Sequence, residues 1–174
     1  MGIKRTQSSR NGQVSMMNEE LFGGAALQSW KQVIGRFDKA LGELSDEQLQ
    51  KPVAPGRNRL YYLLGHLTAV HDRLLALLDV GARLHPELDE VFITNPDGTL
   101  ADPLPAAELR KAWSEVNAKL TAAFEKFTPA EWLQRHTAVS EEDFAKDPTR
   151  NRMAVVLSRT NHVSFHMGQA VLAK

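Results

Sequence analysis

His162 and His166 stand four residues apart in the stretch TNHVSFHMGQA, near the C-terminus of the sequence. On an α-helix, residues with this spacing lie on one face, one turn from each other, so two imidazoles there can reach the same ion. Neutral imidazole is a common ligand of zinc, nickel, copper and iron. The pair therefore indicates a metal site, although short motifs of this kind also arise by chance.

The neighbours of the pair point to the interior of the protein. Val155, Val163 and Ala170 fall on the same side of the predicted helix as the two histidines and are residue types that a core face uses. Imidazole nitrogens on such a face destabilise the fold unless they find partners, and a metal ion provides them. The alternative is a pair of partly exposed histidines that hydrogen-bond to water or to the backbone. Both interpretations stay open for the pair alone.

A third ligand is available from a different helix. His66 lies in the stretch LLGHLTAV beside Leu63, Leu67 and Val70, on the apolar side of the second predicted helix. A single histidine in such a place is more often a core residue with satisfied nitrogens than a ligand. Three histidines on two inward-facing surfaces favour a metal site, and three protein ligands leave a coordination position open for a reactive ion.

The other three histidines are not expected at this site. His71 follows His66 by five residues, which turns its side chain about 140° away on a helix. His85 and His136 fall in predicted loops or turns, and we expect both of them at the surface.

Other catalytic constellations are weak or incomplete in the sequence. The two terminal histidines are spaced as in a zincin helix, but Val163 occupies the position of the glutamate that acts as general base. Ser164 lies between the histidines at an offset of two from each and faces away from both. Asp38 and Asp72 fall on helices without a spacing that ties them to the histidines. The catalytic residues therefore stay unidentified.

Composition and charge exclude several classes of protein. Lys plus Arg and Asp plus Glu are equal at 21 each, and this balance argues against a dedicated nucleic-acid binder. The sequence has no cysteine, which excludes disulfides, thiolate metal sites and cysteine nucleophiles and fits a reducing, cytoplasmic location. No apolar run approaches the ~20 residues of a membrane-spanning helix, so we expect no membrane partner.

Four segments carry the helical periodicity of apolar residues. The first three stripes are Trp30, Ile34, Phe37, Leu41 and Leu44; Leu60, Leu63, Leu67, Leu74 and Leu78; and Leu109, Trp113, Val116, Leu120, Ala123 and Phe127. The fourth helix is predicted from about Asn151 to the end of the sequence. Capping boxes at Ser45–Gln48 and Thr128–Glu131 predict two further helix starts.

The connection 82–104 between the second and third helices is long, and such a segment in a compact domain is often functional. Its alternating stretch EVFIT, just before the turn NPDG, predicts a short strand without an obvious partner. Four amphipathic helices and no convincing sheet predict an all-α, antiparallel-type four-helix bundle. We expect one domain over residues 18–174, preceded by a disordered polar leader over residues 1–17.

Several short motifs, in their order and separation, resemble those of the DinB/YfiT-like superfamily. They are SDEQL, PGRN, GHLTAVHDRLL, TPAEW and the terminal H-x-x-x-H-x-G-Q formed by His162, His166, Gly168 and Gln169. The resemblance covers residues 18–174 and implies a four-helix bundle with a divalent metal ion. The ligands that it implies are His66, His162 and His166, the same three that the residues themselves indicate.

The resemblance also implies a reaction. In several branches of the superfamily the metal activates a low-molecular-weight thiol, so we expect a metal-dependent thiol S-transferase with a small-molecule substrate. An ion at three histidines lowers the pKa of a bound thiol or water and so generates a nucleophile. Zinc or nickel is the expected ion, with iron or manganese as alternatives. A metal-dependent hydrolase is the alternative enzyme, and a stress-associated metal-binding bundle is the non-catalytic alternative.

Two further expectations concern Gln169 and the assembly. Gln169 lies within one helical stripe with His162 and His166, where its amide would hold a ligand imidazole or a metal-bound water. The alternative is a polar residue at a frayed helix end. We expect a homodimer, from the resemblance and from aromatic residues outside the four stripes that offer a contact. These aromatic residues are Phe22, Trp132 and Phe144.

Overall fold

The structure is a computed structural model that describes residues 3–172, with side chains from residue 20 onward. In chain order its elements are α1 (Ile3–Gly42), α2 (Asp46–Leu49), α3 (Leu60–Leu77), a π-helix (Glu90–Thr94), α4 (Ala106–Phe124), α5 (Pro129–Trp132), α6 (Glu141–Lys146) and α7 (Arg152–Leu172). No strand occurs within residues 3–172, and the all-α fold class is confirmed. The predicted leader lies partly outside the described residues, and α1 begins within it. Its assignment as a leader stays a prediction.

The predicted apolar stripes form one core. Every member of the stripes on α1 and α3 is buried, as are the first four members of the stripe on α4. At the centre, the ring of Phe37 meets Trp113 edge-on with ring centroids 5.2 Å apart, and Trp30 meets Phe124 in the same way at 5.2 Å. Because a core of this size stabilises a chain without metal staples, we expect the helices to form without an ion.

Contacts at helix ends set the directions of the long helices. The guanidinium of Arg110, near the start of α4, donates to the carbonyl oxygens of Leu41 and Leu44, so α4 starts where α1 ends. The hydroxyl of Tyr61, in the first turn of α3, donates to the carbonyl oxygen of Leu104 at 2.6 Å, so α3 and α4 start side by side. It follows that α3 and α4 run parallel, while α1 runs in the opposite direction.

The last helix, α7, packs against both α1 and α3. The backbone N–H of Thr137, in the segment that leads to α7, donates to the carbonyl oxygen of Leu77 at the end of α3 at 2.9 Å. Because α7 starts near the end of α3, the two helices run antiparallel. This arrangement brings the second half of α7 to the first half of α3, where the candidate metal ligands lie.

The connection between α3 and α4 folds onto α3. The stretch EVFIT forms a π-helix, so the prediction of a strand is wrong. Of its apolar residues, Phe92 is fully buried, and its ring lies where a side chain on Gly65 would be. This contact packs the π-helix against α3. Further along, the side chain of Arg59 binds Asp97 at 2.6 Å and Asp102 at 2.8 Å and ties the connection to the start of α3.

The three short helices begin at capped residues. As predicted, Ser45 with Gln48 in α2 and Thr128 with Glu131 in α5 exchange side chain–backbone hydrogen bonds at the helix start. The sequence pattern does not predict α6, which begins after Ser140, whose hydroxyl accepts a backbone N–H of its first turn.

The three aromatic residues predicted as a contact surface have different environments. Trp132 is 3% exposed and packs edge-on against Phe127, so its prediction as a free aromatic is wrong. The reason is Gly23 on α1, whose missing side chain leaves room for the indole. Phe22 is 66% exposed, and Phe144 lines a cavity of about 460 Å³. The homodimer itself stays a prediction.

Candidate metal centre

Three histidine side chains from two helices form one group. His66 of α3 and His162 and His166 of α7 each bring one ring nitrogen within 4.8 Å of the others. The ring centroids of His66 lie 5.2 Å from His162 and 5.6 Å from His166, and the two rings of α7 are 4.7 Å apart. Helical spacing brings the α7 pair together. The antiparallel packing of α3 and α7 adds the third ring.

The ring of His66 is held by the backbone of the π-helix. Its Nδ1 lies 2.9 Å from the carbonyl oxygen of Phe92. A carbonyl oxygen only accepts, so the proton of this imidazole is on Nδ1 and the lone pair is on Nε2. A second contact comes from Tyr62, whose ring is stacked on His66 with centroids 6.5 Å apart and planes at 9°. The free nitrogen for an ion is therefore Nε2.

The ring of His166 is held in the same way by a side chain. Its Nδ1 lies 2.7 Å from Oε1 of Gln169, an oxygen that can only accept. The contact follows from their spacing of three residues on one helix. Gln169 thus fixes the proton on Nδ1 of His166 and leaves its Nε2 unprotonated, which is how a residue behind a metal ligand acts.

The two α7 imidazoles face each other through Nε2, with 2.9 Å between these atoms. Since His166 carries its proton on Nδ1, the proton between the two nitrogens belongs to His162. Binding of an ion by both Nε2 atoms requires that proton to be on Nδ1 of His162, which is shielded from solvent and has no hydrogen-bond partner among the described residues. Once His162 carries its proton on Nδ1, all three imidazoles present an unprotonated Nε2, a set of donors that fits a divalent ion.

The sequence model of the DinB superfamily matches residues 29–170 of the 174-residue chain. The chain belongs to the DinB superfamily. No curated protein matches it. Within residues 3–172, no helix combines the length and apolar character needed to cross a membrane. Superfamily membership and the three-histidine group together suggest a divalent metal ion and are compatible with a metal-dependent function.

Burial keeps the α7 imidazoles of this DinB-superfamily protein neutral. Loss of solvent, followed by the neighbouring His166 and His66, lowers the pKa of His162 to about 4. Burial also lowers the pKa of His166, and the hydrogen bond with Gln169 acts in the opposite direction. Neutral imidazole is the form that binds metal ions, so these two rings bind without first losing a proton near pH 7.

His71 lies outside the three-histidine group. It is fully buried between the rings of Trp30 and Trp113, with ring centroids 5.0 and 5.1 Å away. Its Nδ1 donates to Oδ1 of Asn117 at 2.8 Å. Loss of solvent lowers the pKa of His71 to about 3, so it stays neutral as part of the core.

Four other titratable residues discussed in the sequence analysis lie outside the three-histidine group. His85 and His136, expected at the surface, are partly buried. Asp72 is fully buried and pairs with Arg83 at 2.9 Å. Asp38 accepts a hydrogen bond from the indole of a buried tryptophan at 2.7 Å. Neither carboxylate belongs to the three-histidine group, and each has a hydrogen-bond or ion-pair partner elsewhere.

Sequence reasoning missed three residues that surround the site: Phe92, Tyr62 and Arg159. Two of them had a local signal, because Tyr62 precedes His66 by four residues and Arg159 precedes His162 by three. No spacing along the chain connected Phe92 to His66, 26 positions away, although the length of the connection 82–104 indicated a functional segment. Only the tertiary structure brings the π-helix to the site.

Proposed function

We propose that this protein is a cytoplasmic, divalent-metal-dependent transferase that joins a low-molecular-weight thiol to a small electrophile. The main support is the convergence of His66, His162 and His166, two of whose rings are held with Nε2 unprotonated. Three protein ligands leave coordination positions for a substrate, as in reactive and not in purely structural sites. Membership of the DinB superfamily supports the same class of protein.

A divalent ion at this place supplies Lewis acidity, which lowers the pKa of a thiol. In the transfer, the thiol releases its S–H proton to solvent and its sulfur forms a bond to the electrophilic carbon of the second substrate. The leaving group departs with the electron pair of the bond that breaks. Imidazole donors favour zinc or nickel, and iron or manganese are the further candidates.

The chain itself binds and orients the groups at the site. The Phe92 carbonyl and the Gln169 amide hold two imidazole rings in the tautomer that binds an ion. His166 is only 9% exposed, so the protein excludes most water from that ligand. The ring of Tyr62 lies nearly parallel to the third imidazole, that of His66.

The proposal is tested by metal analysis and a conjugation assay on protein purified without a histidine tag. We expect near-stoichiometric zinc or nickel and formation of a thioether from small thiols and 1-chloro-2,4-dinitrobenzene, followed by absorbance. Chelation and His162→Ala should both abolish the conjugation. Chelated protein should keep its helical circular dichroism, because the apolar core does not depend on the ion.

Three other outcomes would contradict the proposal in different ways. Metal-dependent hydrolysis of activated esters without conjugation would make the protein a hydrolase. Stoichiometric metal without turnover of either kind would favour a non-catalytic metal-binding bundle. Loss of all helical signal on chelation would show that the ion is structural.

A further inference from the structure

Arg159 lies on the inner side of α7, next to the metal ligands. At 3.6 residues per turn it is about 60° around the helix from His162 and about 20° from His166. The same arc contains Val163 and Ala170, which are buried. The Cα of Arg159 is about 4.5 Å along the axis from that of His162, well within the length of an arginine side chain. The helix therefore places Arg159 on the same face as the histidines, one turn before His162.

The guanidinium of Arg159 has no recorded partner among the described residues. The residue is partly buried, its Nε is shielded from solvent, and it makes no hydrogen bond or ion pair with any described residue. Two other partly buried arginines are paired with carboxylates: Arg59 binds Asp97 at 2.6 Å, and Arg83 binds Asp89 at 2.7 Å. A partly desolvated cation without a counter-ion is costly, and an arriving anion removes that cost.

The charge of Arg159 acts on the interior of the site. It contributes to the lowered pKa of His162 on the same helix and of His71 on α3. Burial lowers the pKa of Arg159 itself, although a guanidinium stays protonated near neutral pH. A free positive charge thus stands beside the three histidines.

We propose that Arg159 determines substrate specificity at this site by binding the carboxylate of an anionic thiol. The inference rests on the proposed thiol transfer and names its substrate class: a small thiol with a carboxylate within a few atoms of the sulfur. The planar guanidinium matches a carboxylate through two parallel hydrogen bonds. A phosphate monoester carries close to two negative charges and would require a further cation, so a carboxylate is the better match.

The test compares two thiols that differ in charge, bound to the full-length protein loaded with Co²⁺. Titration with 2-mercaptoacetate or 2-mercaptoethanol is followed through the charge-transfer band that a thiolate gives with cobalt. We expect the carboxylate thiol to bind at least about tenfold more tightly, the usual effect of a charged hydrogen bond. Arg159→Gln should remove this preference and leave the affinity for 2-mercaptoethanol unchanged, and Arg159→Lys should keep part of it.

Arg152→Gln is the matched control. Arg152 is a second arginine of α7 without a carboxylate partner among the described residues, and its guanidinium lies over the ring of Phe127 at 5.2 Å. It is seven residues, about 10 Å, before Arg159 on the helix axis. This variant should keep the preference for 2-mercaptoacetate. Equal affinity of the wild type for the two thiols, or an equal loss of both in Arg159→Gln, would overturn the inference.

A second measurement separates this inference from the proposed function. If neither thiol produces a charge-transfer band, the thiol transferase proposal fails. The NMR resonance of the Arg159 Nε–H in the wild type then tests whether Arg159 binds a carboxylate. Movement of that resonance on addition of acetate, but not of acetamide, would uphold the carboxylate site. An unmoved resonance would refute it. The wild-type measurement also serves if a variant does not fold.

Discussion

The carbonyl oxygen of Phe92 lies 2.9 Å from Nδ1 of His66, although 26 positions separate the two residues in the chain. The carbonyl oxygen only accepts, so it fixes the imidazole proton on Nδ1 and leaves Nε2 for an ion. The long connection between α3 and α4 is therefore part of the candidate site. π-helices occur frequently at functional sites, and here the segment orients a candidate ligand.

The first prediction concerns the close packing beneath this contact. In Gly65→Ala the new Cβ would overlap the Phe92 ring, so the π-helix must move away from α3. We expect a loss of roughly 1–3 kcal/mol in the free energy of unfolding, typical of overpacking, and weaker metal binding. Urea denaturation and calorimetric metal titration measure the two effects. Gly35→Ala, which meets open space on α1, should be neutral or slightly stabilising.

The second prediction concerns the ligands. His66→Ala, His162→Ala and His166→Ala should each abolish stoichiometric metal binding, because each removes one of three converging nitrogens. His136→Ala should leave it intact, since His136 is not a member of the group. Metal content by mass spectrometry and affinity by titration are the measurements. Tight metal retained by any one of the three ligand variants would disprove the three-histidine site.

Gln169 provides the third prediction. Without its amide oxygen, the ring of His166 can rotate or change tautomer, so Gln169→Ala should weaken metal affinity by about tenfold or more. Gln169→Glu, which keeps an acceptor at the same distance, should retain most of the affinity. Gln134→Ala, an exposed position before α7, is the control. An unchanged affinity in Gln169→Ala would assign the residue to the surface.

His71 provides a prediction for pH. Its pKa is about 3 in the folded protein and about 6.5 in an unfolded chain, so between these values the unfolded state binds more protons. The contribution of His71 to stability is fully present above pH 6.5 and is lost as the pH falls toward 3. In this window the preferential protonation of His71 in the unfolded state lowers the free energy of unfolding by up to about 1.4 kcal/mol for each pH unit of acidification.

The matched experiment compares wild type and His71→Gln by urea denaturation of chelated protein at several pH values. The variant is expected to be less stable at pH 7, since it loses a buried ring between two tryptophans. The free energy of unfolding of the variant should nevertheless fall less steeply with decreasing pH than that of the wild type. His162 and His166 contribute a slope of the same sign in both proteins, so parallel curves would show that His71 does not titrate as expected.

The last prediction is a homodimer. Leu21 and Phe22 on α1 and Phe165 on α7 are each more than 60% exposed, with values of 67%, 66% and 64%, and the two helices pack against each other. Exposed apolar side chains of this size favour association. Sedimentation of the wild type at micromolar concentration should give a dimer, and Phe22→Asp should shift it toward monomer. A wild-type monomer would contradict the prediction.

The sequence by itself determined the features that depend on local spacing. The four-three repeats of large apolar residues predicted the helices and their buried faces, because a helix places such residues on one side. Capping residues predicted the starts of α2 and α5 for an equally local reason. His162, His166 and Gln169 share one stripe of α7 by spacing alone. The inward position of His66 followed from its apolar neighbours.

The tertiary structure alone decided which surfaces meet. EVFIT forms a π-helix, and its Phe92 ring packs where Gly65, on another element, leaves room for it. Trp132 became buried because Gly23 leaves room for its indole. His66 reaches the α7 pair because α3 and α7 run antiparallel. Such contacts join residues far apart in the chain, and no periodicity within one segment records them. The same holds for Arg159, whose Nε has no partner among the side chains described around it.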